Sequence, residues 1–499
     1  MGLIVRQGLK SSVGFYIGVG LGAINTLFIS TRFLSPDQLA ISRILLENGL
    51  IFAAFSHLGT PYITDKFFSY FRNDEQKHNG FLLFILLFPL IGLSLFLIAF
   101  NTFDVNIEDY FIENSPTIVP YIWLSVPMTF CWVYIIVLES YSRVNGRTAI
   151  PTFFREVVFR AINILLVLML GFGWIDFDLF LYLFVGSMAL IALSLLLYIK
   201  QLGKLYLEWN AAAWNKALVY QMVAFGSIII IGGIGANLIL FIDRNMLANE
   251  IDTDAVAIFL VAAYIATVIE IPSKAIRQIS SPIMADAVYR DDKTQVKELY
   301  QKSALNLLLI GGIMFLLISF NIDALLSILP KSEIYKQGKW VVIIIGAAKW
   351  IDMSLGLNIE LITYSKYFRL NTFLIVVMAF LAVQANLYLI PIFGIIGAAM
   401  ATGGIALLSS LLRLAFVRWK FDVMPFSKKD GLALGVLVIA ALIGWALPSY
   451  DGSFGLAVLS IAIKSILMIS AFAFLVIRYN ISHDLSVLYN KFVVPIFKR

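Results

Sequence analysis

Cysteine and histidine are almost missing from this chain: Cys131 is the single thiol, and His57, His78 and His483 are the three imidazoles in 499 residues. One thiol excludes a disulfide framework and a cysteine-based metal centre. His78 and His483 fall in expected cytoplasmic segments without a carboxylate or metal-ligand constellation, so no catalytic site is read there. Charge is also scarce, at 14% of residues, where soluble domains carry about 25%. The Gly18-Val19-Gly20-Leu21-Gly22 string lies inside an apolar run with no strand before it. It is read as a site of close helix packing or bending, not a phosphate loop. No nucleotide-hydrolysis motif is present, and neither an enzyme nor a cofactor is expected.

What fills the chain instead is hydrocarbon. Hydrophobic residues make up 60% of it, and they come in runs of about 20, the length that carries a helix across about 30 Å of bilayer core. The fold class this predicts is an all-α polytopic membrane protein with about fourteen transmembrane helices. The expected spans are 11–33, 38–62, 80–101, 117–139, 152–173, 178–199, 219–242, 254–275, 303–328, 340–362, 370–390, 394–417, 430–448 and 455–477. The apolar run after Lys10 has no Ala-x-Ala cleavage pattern and reads as a retained first helix.

The net charge of +6 comes from Lys and Arg scattered through short connections, which argues against nucleic acid and for membrane topology. Arg143 with Arg147, Lys200 with Lys204, and Arg418 with Lys420 and Lys428 all fall on the side shared by both termini. The longest connection on the other side, around Asp104, Glu108, Asp109 and Glu113, has neither Lys nor Arg. Both termini are therefore expected to be cytoplasmic.

A repeat runs through the chain. Asp37-Gln38-Leu39-Ala40-Ile41 matches Asp254-Ala255-Val256-Ala257-Ile258, and Arg72-Asn73-Asp74 matches Arg290-Asp291-Asp292 at nearly the same offset. This implies a duplicated six-helix unit related by a pseudo-twofold axis along the membrane normal. The expected division is 1–205 for the first lobe, 206–420 for the second, and 421–499 for an appended helix pair with a tail.

A charge at the bilayer centre costs roughly 2.5 to 3.5 kcal/mol on insertion scales, so interior charges need a partner or a cavity. Arg43 and Glu47 lie four apart in the second span, about 10 and 16 Å below its outer end, and Lys349 and Asp352 lie three apart at similar depth in the tenth. In each pair the two charges either neutralise one another or serve a ligand. Glu360 is placed toward the cytoplasmic interface, Asp243 with Arg244 at the outer end of the seventh helix, and Glu270 with Lys274 as a structural pair in the eighth. Asn25 is a candidate cavity residue of the first helix.

The 6+6+2 layout resembles the multidrug/oligosaccharidyl-lipid/polysaccharide (MOP) exporter superfamily, and within it the bacterial polysaccharide transporters. Leu34-Ser35-Pro36-Asp37, Ile242-Asp243-Arg244, Pro272, Ser281-Pro282 and Gly394-Ile395-Ile396-Gly397-Ala398-Ala399 carry the resemblance across essentially the whole chain. It implies a flippase for a polyprenyl-diphosphate-linked oligosaccharide, an O-antigen, lipopolysaccharide, capsule or exopolysaccharide precursor. Such a protein works by alternating access in the bacterial inner membrane. Arg43, Lys349 and Asn25 are then the expected substrate-binding residues, with Arg43 and Lys349 facing one another across a cavity. A planar guanidinium suits a phosphate oxygen. Glu47, Asp352 and Glu360 are the expected ion-coupling or charge-balancing groups. The expected partners are the lipid-linked oligosaccharide, membrane lipids, H+ or Na+ as the driving ion, and the glycan polymerase machinery. A cation-coupled multidrug antiporter of the same superfamily is the alternative, favoured by an acidic instead of a basic cavity. A membrane polysaccharide polymerase or ligase is a remote one.

Overall fold

A computed structural model describes residues 3–450, 453–482 and 484, which leaves His483 outside the described residues. Its described secondary structure is entirely helical, as expected where no water is available to satisfy a backbone outside a helix or closed barrel. The chain contacts divide it into two compact units, Met1–Ala257 and Ile258–Arg499.

The first unit contains α1 (Leu3–Ala23), α2 (Pro36–Ser56), α3 (Thr60–Phe71), α4 (Phe81–Thr102), α5 (Ser125–Val144), α6 (Phe159–Gly171), α7 (Phe177–Gln201) and α8 (Lys216–Glu250). Local chemistry sets where these start. Ser35 and Gln38 form a reciprocal capping box around Pro36 at the head of α2, and Asp176 accepts the Leu179 N–H at the head of α7. Helix α1 continues through a π-helical turn, Ile24–Ile29, and α6 follows Ala149–Phe153 and a second π-helical turn, Phe154–Val158. α5 is the centre of the unit and packs against α2, α3 and α7. The core between them is apolar and aromatic, with Leu45, Met128 and Val137 fully buried and Phe68 edge-on to Phe81 and Tyr141.

The second unit takes in most of α9 (Thr253–Thr267), then α10 (Ile271–Tyr289), α11 (Lys293–Phe320), α12 (Lys339–Ser354), α13 (Asn358–Tyr364), α14 (Arg369–Phe393), α15 (Ile395–Phe421), α16 (Lys428–Ala446) and α17 (Phe454–Arg478). α12 and α14 pack on α15, while α11 packs on α12 and α16. The final pair is sealed to α11 by Leu305, Leu309, Leu437 and Met468. α8, expected to open the second lobe after residue 205, packs against α2 and α3 and belongs to the first unit.

Among the described residues, twelve helices are long and apolar enough to cross a membrane, and the bent pair Ser332–Ser354 and Asn358–Tyr364 raises this to thirteen. The protein is thus a multi-pass membrane protein, and two features account for the departure from the expected fourteen. The tenth span turns by 52° between α12 and α13, where Gly356 takes a left-handed φ of +66° that favours glycine. The fifth, the helical run from Ala149 to Gly171, carries Arg155, Glu156 and Arg160 in its first half.

Candidate functional site: charged networks within the apolar helices

Each unit holds charged side chains among its apolar helices, and their partners come mostly from other helices. In the first unit Glu47 of α2 lies 3.4 Å from the Arg244 guanidinium of α8, which also stands 3.6 Å from Asp243. Both carboxylates are buried. Arg244 donates a further hydrogen bond to the Leu240 carbonyl at 2.6 Å. Asp243 and Arg244 do not end the seventh helix: α8 runs on through buried Met246 and Leu247 to Glu250, which carries both charges inside it. Arg43 donates from Nη2 to Thr26 Oγ1 at 3.1 Å, tying α2 to the π-helical turn after α1. Arg43 also acts electrostatically on Glu47. The expected pair is therefore one side of a four-charge group: Arg43 and Arg244 against Glu47 and Asp243.

Asn25, from the same π-helical turn, donates to Asn163 Oδ1 of α6 at 2.5 Å and accepts from Ser30 Oγ at 3.3 Å. It is buried, and its amide links this turn to α6.

A second group of four in this unit was not singled out from the sequence. Arg155 is 2.7 Å from Glu139 of α5 and 3.2 Å from Glu156, and Arg160 is 2.9 Å from Glu156. Arg160 also donates to the Gly18 carbonyl of α1. Gly18 has to be glycine for this approach, since a Cβ there would meet the Glu156 carbonyl oxygen at 2.7 Å. Gly20, in the same string, has open space around it. The signal was three charges within the expected fifth span, since insertion cost alone requires partners for them.

The second unit draws most of its interior charges into one connected network. Lys349 of α12 bonds Glu270, and Lys274 stands 3.9 Å from the same carboxylate. Asp352, three residues beyond Lys349, accepts from Ser410 of α15 and lies 3.9 Å from Arg277 of α10. Arg277 continues to Glu360 of α13 at 3.5 Å, and Arg413 of α15 acts electrostatically on Asp352, Glu360 and Arg277. Lys349 and Asp352 thus take their contacts from different helices instead of serving chiefly one another. Glu360, expected toward the cytoplasmic interface, is paired with Arg277 and 11% exposed. Glu270 is the anchor of Lys349 as well as the partner of Lys274. Arg277 and Arg413 are the residues that sequence reasoning missed, although Arg413 lies inside the expected twelfth span.

In this network four cations, Lys274, Arg277, Lys349 and Arg413, face three carboxylates, Glu270, Asp352 and Glu360. The Nε of Arg413 is buried without a hydrogen-bond partner among the described residues, as is Glu360 Oε2. Two recesses in the first unit, of about 430 and 460 Å³, are lined by side chains such as Phe52, Phe96, Leu86 and Phe130 and have no charged residue on their walls. No group of three or more His, Cys, Asp or Glu side chains that could hold a metal ion is found among the described residues.

No protein-family model and no curated protein sequence matches the chain. Its fold does match solved structures. The structure described as lipid II flippase MurJ in an inward closed conformation superposes with a TM-score of 0.69 at 12% identity, over 95% of this chain and 100% of that one. A multidrug resistance MATE family transporter of the MOP superfamily, inward-facing, gives 0.62 at 12% identity over 84% and 98%. A MOP superfamily transporter from Pyrococcus furiosus, described as having a binding pocket of reverse polarity, gives 0.55 at 13% identity over 84% and 95%. The chain therefore has the fold of the MOP superfamily transporters.

Proposed function

We propose that this protein is a transporter, not an enzyme, and that it carries a polyprenyl-diphosphate-linked oligosaccharide from the cytoplasmic to the periplasmic leaflet of a bacterial inner membrane by alternating access. The observation that carries this reading is the cation excess of the second unit's network, with a spare guanidinium donor on Arg413. An apolar surrounding tolerates such an excess if an anion completes it, and a sugar diphosphate is an anion attached to a hydrocarbon chain. A site for cationic drugs would need the opposite balance. The fold shared with a lipid II flippase supports the same substrate class.

In this reading Arg43 and Lys349 bind the diphosphate, and Asn25 is the third substrate-binding residue, on the π-helical turn whose Thr26 accepts from Arg43. Glu47, Asp352 and Glu360 balance the cations while substrate is absent, and H+ or Na+ drives the cycle. Both termini are cytoplasmic, so a phosphatase fused after Arg499 should stay in the cytoplasm and give no periplasmic activity.

The test is complementation. Arg43→Ala and Lys349→Ala are expressed separately in a strain lacking its own flippase, membrane levels are matched, and surface glycan is measured. Glycan export should fall at least tenfold for each. Parental export by both variants would reduce these residues to structural ion pairs.

A further inference from the structure

At one end of the second unit, the turn 365–368 between α13 and α14 meets the last turn of α15. Tyr367 packs edge-on against Phe416 at 5.3 Å and Phe421 at 5.9 Å between ring centroids. Phe416 and Phe421 rest in turn on a core of Met284, Tyr300, Leu361 and Val417, which fixes the aromatic plate in place. Two cations border it and a third, Arg369, lies on the neighbouring Phe368. Lys366 Nζ lies 5.3 Å from the Tyr367 ring, Lys420 Nζ lies 6.0 Å from the same ring and 3.5 Å from Trp419, and the Arg369 guanidinium lies 5.9 Å from Phe368.

None of Lys366, Arg369 and Lys420 forms an ion pair among the described residues, whereas the neighbouring Arg418 is taken by Asp422 at 2.8 Å. A ring face attracts a cation without neutralising it, so each of the three keeps N–H donors for an external anion. Trp419 and Phe368 are exposed, at 72% and 53%. They stand where the apolar stretches of α14 and α15 meet polar chain. Exposed tryptophan and tyrosine beside lysine and arginine at helix ends fit the headgroup layer of a bilayer.

We infer that this plate is a binding site for the headgroup of an anionic phospholipid. The phosphate is held by Lys366, Arg369 and Lys420, and the glycerol and first methylenes lie against Trp419 and Phe368. A headgroup in this layer is delivered by its own acyl chains, which a free phosphate lacks. The cation contacts do not depend on what the protein transports.

The full chain, purified in a nonionic detergent, is titrated with phosphatidylglycerol, phosphatidylcholine and inorganic phosphate. The readouts are the thermal unfolding midpoint and the lipid adducts that survive native mass spectrometry. Phosphatidylglycerol should raise the midpoint and leave adducts, and the other two should do neither. The triple substitution K366Q/R369Q/K420Q should weaken phosphatidylglycerol binding on the order of a hundredfold, because each cation near a headgroup contributes about fivefold. The charge-preserving K366R/R369K/K420R should retain binding. Undiminished binding by the glutamine variant, an equal response to phosphatidylcholine, or an equal response to inorganic phosphate overturns the site. If the triple variant elutes as a misfolded species, Lys420→Gln alone is used, and a loss of less than about twofold has the same force, against the fivefold expected of one cation.

Discussion

The two units handle the same problem, charge inside an apolar fold, in opposite ways. The first divides its charges into two balanced groups of four: Arg43 and Arg244 with Glu47 and Asp243, and Arg155 and Arg160 with Glu139 and Glu156. The second joins most of its charges through Arg277 into one network and leaves a cation over. A balanced group can hold helices together while no ligand is bound. In the proposed function, a network with a cation left over is the one that the anion of the substrate completes.

Arg277 is where the contrast can be broken most directly. Its removal as Arg277→Ala deprives both Asp352 and Glu360 of their guanidinium, and leaving each of these partly buried carboxylates without that partner costs about 1 to 3 kcal/mol. The thermal midpoint in detergent should fall sharply, and Arg277→Ala combined with Glu360→Gln should recover part of it. A variant as stable as the parent would mean that the second unit's charges are independent pairs.

In the first unit Glu47→Gln should cost less, about 1 to 3 kcal/mol in the same assay, because Asp243 still faces Arg244. A loss as large as that of Arg277→Ala would remove the distinction between the units.

The glycine string sharpens the comparison at its close packing. Gly18→Ala pushes a Cβ into the Glu156 backbone and should cost about 1 to 3 kcal/mol. Gly20→Ala, with nothing near its Cβ, should be neutral or stabilising by up to about 1 kcal/mol. Equal effects would show that α1 does not depend on the Arg155–Glu156–Arg160 group.

The smallest effect is expected outside the membrane, where Lys204 bonds Asp74 and a hydrogen bond from Trp214 to the Asn79 carbonyl at 2.8 Å fastens the 202–215 connection. The Lys204 ammonium holds the exposed Asp74 carboxyl below its ordinary value of 3.8. A depressed carboxylate contributes fully above its unfolded value and loses its contribution as pH falls through the folded one. The contact should therefore persist throughout the neutral range and fail only in strong acid. Asp74→Asn should speed hydrogen exchange in 202–215 at neutral pH without moving the thermal midpoint measurably.

The helical fold was legible because apolar runs of spanning length leave few alternatives. The repeated motifs also marked matching places: Asp37 and Asp254 lie in the first turns of α2 and α9, and Arg72 and Arg290 close α3 and α10. Partnership was not legible. Spacing along one helix suggests Lys349 with Asp352, but the ammonium finds Glu270, 79 residues away, because packing decides which faces meet. The Arg155 group was readable in principle, since three charges in one span cannot all be idle. The 52° bend after α12 left only Gly356 as its local sign, and one glycine among 33 is a weak signal.

Lys464 bears on how the chain is made. Its ammonium lies inside α17, buried, and donates to the Phe320 carbonyl that ends α11 at 3.1 Å and to Ser449 Oγ at 2.6 Å. A lysine near the middle of a nascent span resists release into lipid on its own. Here the acceptors that receive it are synthesised earlier, on α11 and on the link from α16. The last helix is therefore expected to leave the insertion machinery onto an already seated α11, so the order of synthesis is matched to the order in which buried charge can be accommodated.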